Sequence, residues 1–428
     1  MITDGIVFSY GILTKEYISN FGISRLTASL IGSILVGLTL SLAPIAYYLS
    51  VIFDHRIVSL IGSLLSIIGF TIPYLYHELW FVVLNTSVLC GIGFGLIYLP
   101  SIAIVNVWFE NVKPLAIGIA VSGSGLGTFA FSLIFEYLPI IVGLKYTMLI
   151  TGGILLLLLP CSLIYRPIPC QDNENSTRNT LENCIELMID ERNCEENYLE
   201  NSCDMNSVNT GRSNKFQIPQ TVISKESSMY ELLKNPIILL LLFSNVLSGI
   251  GFNSPYVFTK ERAILLGVPV NESKFLISTI GLGTCLGRVG FGYLATLKVV
   301  NRFHLYNVSL VISGLILAMT RWTNNFIFIV SYTTIYGIVT GSFVTLTSVI
   351  LLDIFGKDNA QKAFALSLVS QGLAALIGPP IIALMYAKTQ SFDLAFTICG
   401  ILMIISGVIK YLSFISKEFR HKNFNSFL

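Results

Sequence analysis

The sequence predicts an all-α membrane protein of twelve transmembrane helices arranged as two halves of six. Three observations predict it. The 428-residue chain is 54% hydrophobic and only 12% charged, with a mean hydropathy of +0.75. Soluble globular chains carry about 25% charged residues, and half that leaves too little polar surface to cover a body in water. Residues other than Asp, Glu, Lys and Arg gather into solid blocks, most near or above the ~20 residues that a helix needs to cross ~30 Å of hydrocarbon. One polar segment, 166–234, interrupts those blocks near the middle. A closed β-barrel, the other structure able to span, would show short alternating segments instead. A net charge of +2 argues against nucleic acid as the main partner; the lipid bilayer takes that place.

The first helix is the anomaly. The opening "MITDGIVFSYGILTKEY" is apolar only from Ile6 to Leu13, and it lacks the basic start and small-residue cleavage site of a signal peptide. It reads as the outer half of a helix truncated at its N-terminus. Charge-free runs place eleven further helices at 26–53, 57–77, 79–109, 114–135, 146–165, 235–260 (closed by Lys260), 275–297 (interrupted by Arg288), 303–320, 322–352, 363–387 and 394–409. The half helix completes a count of twelve.

The segment 166–234 carries seven Lys+Arg and twelve Asp+Glu, is rich in Asn and Ser and holds few aromatics. Such a composition predicts disorder. It separates residues 1–165 from 235–416, and 417–428 form a tail. With this loop inside, short inner loops and tail hold nine basic residues against eight outside, or eleven with Arg166 and Lys234. The bias places the loop and both termini in the cytoplasm. Lys113, Ala116 and Gly123 repeat the spacing of Lys362, Ala365 and Gly372, setting the fifth helix opposite the eleventh. Repeated six-helix halves are the layout of major-facilitator transporters, which bind substrate between the halves near the midplane. Cys90, Cys161, Cys285 and Cys399 lie in spans, while Cys170, Cys184, Cys194 and Cys203 lie in the loop at spacings that match no zinc motif.

Within "TCLGRVGFGYLA" stands one arginine, Arg288, about nine residues from the end of its run, or roughly 14 Å at ~1.5 Å per residue. A guanidinium at that depth costs about 2.5–3.5 kcal/mol on insertion scales. A water-filled cavity lowers that cost, and a carboxylate guest supplies the missing partner.

The stretch "GFGLIYLPSIAIVNVWFENVKPLAIGIAVSGSGLGTF" (93–129) resembles the fourth-to-fifth helix signature of the monocarboxylate transporter family. "DGIVFSYG" (4–11), "GRVGFGYLA" (287–295) with "VNRFHLYN" (300–307), and "LLDIFG" (351–356) resemble family segments too. The resemblance implies a major-facilitator fold in the plasma membrane that moves small carboxylates or amphipathic solutes by alternating access, sometimes with a single-span accessory protein. Several positions depart from the pattern. The acidic-glycine-tryptophan opening is missing. The basic pair after "WFENVK" is reduced to Lys113, and the fourth-helix lysine position is Val107. Thr284 stands where proton-coupled members place an aspartate, and their first-helix lysine has only Thr14 nearby, with Lys15 one position off. These departures point away from proton–lactate symport and toward the less-characterised branches, among them carriers of aromatic amino acids.

Arg288 is thus the expected carboxylate ligand, its planar fork matching two oxygens; the alternative is a structural arginine tied to carbonyls or to an internal acid. Asp4, eleven residues before Lys15, lies roughly 16 Å below the outer end of its helix and is the expected counter-ion, the alternative being an aspartate that merely caps or exposes itself at a frayed start. Tyr10, Tyr98, Asn106, Asn245, Asn253, Tyr256 and Thr284 are expected to line the cavity with them; each is equally suited to a helix–helix hydrogen bond. No other acid sits deep in a span on this reading. Arg56, Glu110, Lys113 and Asp353 fall at inner helix ends, where they suit a cytoplasmic gate or simple solvation. Gly118, Gly123, Gly127, Gly283 and Gly287 are expected packing positions, because small residues four apart let helix backbones approach. Nothing marks an ATP site, a cofactor, a metal centre or an enzyme's nucleophile–base set. The expected activity is secondary-active or facilitative transport of small organic anions, with an amino-acid carrier or a non-transporting sensor or scaffold as rivals.

Overall fold

The computed structural model describes residues 1–76, 78–109, 112–165, 229–297, 299–322 and 325–425. Expectations for Glu110, for 166–228 within the central segment and for the last three residues of the tail lie outside them. The described residues are helical almost throughout. Ten stretches are long and apolar enough to cross a membrane. One of them, Lys113–Leu163, breaks at Gly143, whose φ of +80° no helix tolerates, so it is two helices. With the first helix the described residues hold twelve.

That first helix, α1, runs through Ile2–Ser9, a 3₁₀ turn at Tyr10–Leu13 and Thr14–Phe21. It outlasts its apolar stretch because Thr14 and Tyr17 turn inward while Lys15, Ser19 and Asn20 stay exposed. Its start packs on Gly123 and Gly127, ten and fourteen residues along the fifth helix from Lys113. Then follow α2 (Arg25–Ile52), α3 (His55–Tyr74), α4 (Leu79–Asn106), α5 (113–142) and α6 (144–163). The second half contains α7 (Pro236–Leu265), α8 (Val270–Leu294), α9 (Arg302–Trp322), α10 (Phe326–Gly356), α11 (Asn359–Thr389) and α12 (Asp393–Tyr411), whose helix continues to Asn425. Side-chain caps start several of them: Ser24 accepts from Thr27 N, Asn235 from Ile237 N, and Asn301 from Phe303 N and His304 N.

The duplication shows in the turns. Left-handed residues close α1 at Gly22 and α7 at Gly267, then stand after α5 at Gly143 and after α11 at Gln390. Each pair occupies the same place in its half. These four turns lie on one face of the bundle, here the far face; the opposite face, at the end of α6 by Tyr165 and the start of α7, is the linker face.

Apolar side chains run exposed at helical spacing along α3 (Ile57, Ile61, Leu64, Ile68) and α12 (Ile398, Ile401, Ile405, Val408). In water such stripes would be a liability; in hydrocarbon they match the solvent. The helices beneath pack through small residues. Gly125 meets Gly281 and Cys285 across the α5–α8 seam, and Gly37 meets Gly372 across the α2–α11 seam. Both seams join the two halves. On the linker face an apolar cluster containing Leu99, Ile102, Val121, Val349, Leu351 and Phe364 draws on both halves and closes that end.

Two details correct the sequence reading. The seventh helix does not end at Lys260: it continues to Leu265 and carries Lys260, Glu261 and Arg262 in its last turns. Nor does Asp4 stand alone as an acid deep in a span, since Glu136 is 7% exposed on α5. The reason is pairing. Lys260 bonds Glu136, Glu261 faces Arg25, and Arg262 holds Asp393 at 3.0 Å, so each charge enters the helix with its partner.

Candidate functional site

A cavity sits between the halves, lined by α1, α2 and α4 on one side and α7, α8, α10 and α11 on the other. Its wall includes Asp4, Phe8, Tyr98, Asn253, Arg288 and Gln371. Helical periodicity explains the lining. Asp4, Val7, Phe8 and Gly11 share one face of α1, and Gly249, Phe252, Asn253 and Tyr256 share one face of α7, both at the i, i+3, i+4, i+7 spacing. The free space is about 30 Å³, roughly one water's share of the liquid.

Arg288 is 1% exposed. Its Nη1 donates to the Val121 carbonyl at 2.6 Å and to Ser124 Oγ, both on α5. Its Nε is shielded and unpartnered. No ion pair joins Arg288 to any acid among the described residues, although Asp4 lines the same cavity. The guanidinium therefore holds two neutral acceptors and, although Asp4 lies near enough on the same wall to interact with its charge, no direct ion pair. That is the costly arrangement of a buried ion, and an anion in the cavity would relieve it.

The other expected residues divide. Tyr98 and Asn253 line the cavity; Asn253 Nδ2 also donates to the Gly249 carbonyl at 2.8 Å. Tyr10 lines the adjoining cavity toward the far face, but its hydroxyl is committed to Tyr17 at 2.6 Å and Thr86 at 2.8 Å. Thr284 stands behind the wall: it donates to the Ile280 carbonyl at 2.7 Å and meets the Tyr256 hydroxyl at 3.1 Å. On the linker face Arg56 Nε donates to the Tyr165 carbonyl within its own half, and Asp353 pairs with Arg302 at 3.1 Å within the other. Lys113 stands half-buried in the first turn of α5. The structure thus joins neither Arg56 nor Lys113 to Asp353. The five glycines all meet neighbouring helices: Gly118 faces α8 at Arg288 and Gly292, Gly123 and Gly127 face the start of α1, and Gly283 and Gly287 face α10.

Of the aromatic wall, sequence reasoning named Tyr256 and missed the phenylalanines. Phe8 lies 4.9 Å from Tyr256 and 5.9 Å from Phe252 between ring centroids, and Phe252 lies 5.4 Å from Phe343. Phe8 comes from one half and the rest from the other. The signal was the shared helical face with Asp4 and Asn253. Gln371 and Thr39 were missed because a neutral polar side chain in a span is as readily a helix–helix hydrogen bond as a cavity residue.

A family model described as Major Facilitator Superfamily matches residues 1–295 and 241–427. Among similar curated proteins is monocarboxylate transporter 12 of Xenopus laevis, 28% identical over 409 residues, covering 95% of this chain and 84% of that protein. Monocarboxylate transporter 9 of Gallus gallus is 23% identical, covering 96% and 89%. Monocarboxylate transporter 14 of Homo sapiens is 24% identical, covering 94% and 85%. A solved structure of the proton:xylose symporter XylE superposes with a TM-score of 0.66 at 14% identity, over 96% of this chain and 93% of that one, a likeness of fold.

Proposed function

The chain belongs to the major facilitator superfamily, and on that premise we propose that it carries small organic carboxylates across the membrane by alternating access, with Arg288 as their ligand. The observation behind this reading is the buried guanidinium on the wall of the cavity between the halves, which has no direct ion-pair partner there. A carboxylate in the cavity accepts from the guanidinium fork and supplies that partner. The halves then rock about it, opening either the far face or the linker face. The Lys and Arg bias puts the linker face in the cytoplasm, in keeping with a plasma-membrane carrier.

The small free space favours an occluded form that expands around its guest. Asp4 supports a second reading. A cavity with a guanidinium, a carboxylate and aromatic walls also suits a zwitterion with an apolar body, such as an aromatic amino acid. Uptake into proteoliposomes across a panel of monocarboxylates and aromatic amino acids tests both. Saturable uptake of one class, lost in Arg288→Gln, is the expected result. Uptake that Arg288→Gln leaves unchanged would remove Arg288 from binding.

A further inference from the structure

A second cavity, of about 230 Å³, opens between the halves at the far face and is lined by Gly11, Ile12, Lys15, Arg25, Val257, Lys260, Glu261 and three apolar neighbours. It shares Gly11 and Val257 with the intermediate cavity, which in turn shares Val7, Phe8, Val36 and Asn253 with the Arg288 cavity. The three therefore lie on one line from the far face to the middle of the bundle.

Its charges are arranged unequally. Lys260 and Glu261, neighbours in the last turns of α7, each reach across to the first half. Lys260 bonds Glu136 with both side chains nearly buried, 12% and 6% exposed. Glu261 faces Arg25 at a loose 3.4 Å with exposures of 26% and 39%, and its Oε2 accepts no hydrogen bond. Arg25 also stacks on Tyr386 at 4.5 Å, which keeps its guanidinium in place without Glu261. Lys15 is exposed and has no ion-pair partner among the described residues. The mouth thus contains one tight pair, one loose pair and one cation to spare.

We propose that this mouth is a separate anion subsite, in which an arriving carboxylate lands on Lys15 and replaces Glu261 at Arg25. The exchange swaps one carboxylate for another at the same guanidinium. It also frees α7 from α2 at the far face, so arrival of the anion unlatches the passage to Arg288. Lys260–Glu136 stays closed as the pivot of that movement. The subsite rests on the carboxylate reading above, and it adds a property that reading lacks: the two faces of the carrier recognise the anion differently.

The test is initial-rate transport of radiolabelled pyruvate and phenylpyruvate in both directions, in cells expressing the full chain. Arg25→Gln and Lys15→Gln are expected to raise the KM for influx about three- to fivefold, the scale of a half-exposed charge contact. The KM for efflux should stay within about twofold, and Arg25→Lys should keep most of the wild-type influx. Glu261→Gln, which removes no cation and leaves the tight pair intact, should lower the influx KM. Raised salt should weaken influx more than efflux, since exposed charges are screened. Equal shifts in both directions, or an influx KM that Glu261→Gln leaves unchanged or raises, would overturn the subsite while leaving carboxylate transport standing. Wild-type cells that carry neither probe would overturn the carboxylate reading, and the subsite with it.

Discussion

At Arg288 two hydrogen bonds to α5 hold the guanidinium against neutral oxygens, so its charge is available to a guest while its orientation is fixed. Charge alone does not reproduce that. Arg288→Lys keeps the cation but loses the planar fork, and kcat/KM for a carboxylate should fall at least about tenfold, with Arg288→Gln lower still. Asp4 separates the two substrate readings. Asp4→Asn should leave monocarboxylate uptake within about twofold, while amino-acid uptake, if that is the cargo, should fall about tenfold through loss of a charge-assisted contact. Paired kinetics on the two solute classes decide it. Arg288 was legible in the sequence because a lone charge in an apolar run is costly enough to stand out. Phe8, Phe252 and Gln371 were not: the two phenylalanines are marked only by sharing a helical face with Asp4 and Asn253, and a neutral amide in a span reads equally as a helix–helix hydrogen bond.

Helices meet here where side chains are smallest. A methyl added at Gly118 would lie 2.6 Å from the Arg288 carbonyl oxygen, so Gly118→Ala must push α5 away from α8 at the level of the site. Overpacking of this kind costs about 1–3 kcal/mol. The expected result is a lower thermal midpoint in detergent together with reduced uptake, whereas the same change at Gly153, where the added atom meets nothing within 4 Å, should be nearly silent. Ion pairs at helix ends should grade in the same way. Breaking the buried Lys260–Glu136 pair with Glu136→Gln should cost about 3–5 kcal/mol, and breaking the half-exposed Arg25–Glu261 pair at most about 1 kcal/mol. Thermal melts of the two variants measure the difference. The pairs also explain where helix ends escaped sequence reasoning. A search for uncharged runs stops at Lys260, yet the helix continues, because each charge in its last turns already has an opposite partner on another helix.

Seen whole, the molecule has two halves held by glycine seams and an apolar plug at the linker face, with ion pairs at the far face. The two-half layout was legible from the polar segment alone. The contacts between halves were not, since they depend on which residues of α5 and α8, or α2 and α11, come into register. If each half is a folding unit, residues 1–165 and 229–428 expressed as separate chains should co-purify, through the seams that Gly125 and Gly37 form with Gly281 and Gly372. Failure of the two chains to associate would make the linking segment essential to assembly.

The left-handed turns at Gly22 and Gly267 have a mechanical consequence. Each folds two long helices back on one another through a connection too short to stretch, so neither arm can slide along the membrane normal without its mate. Opening the far face must therefore swing hairpins as levers, the first in one half and its counterpart in the other. A stiffer hinge at either glycine should slow both directions of movement by the same factor, whatever the cargo.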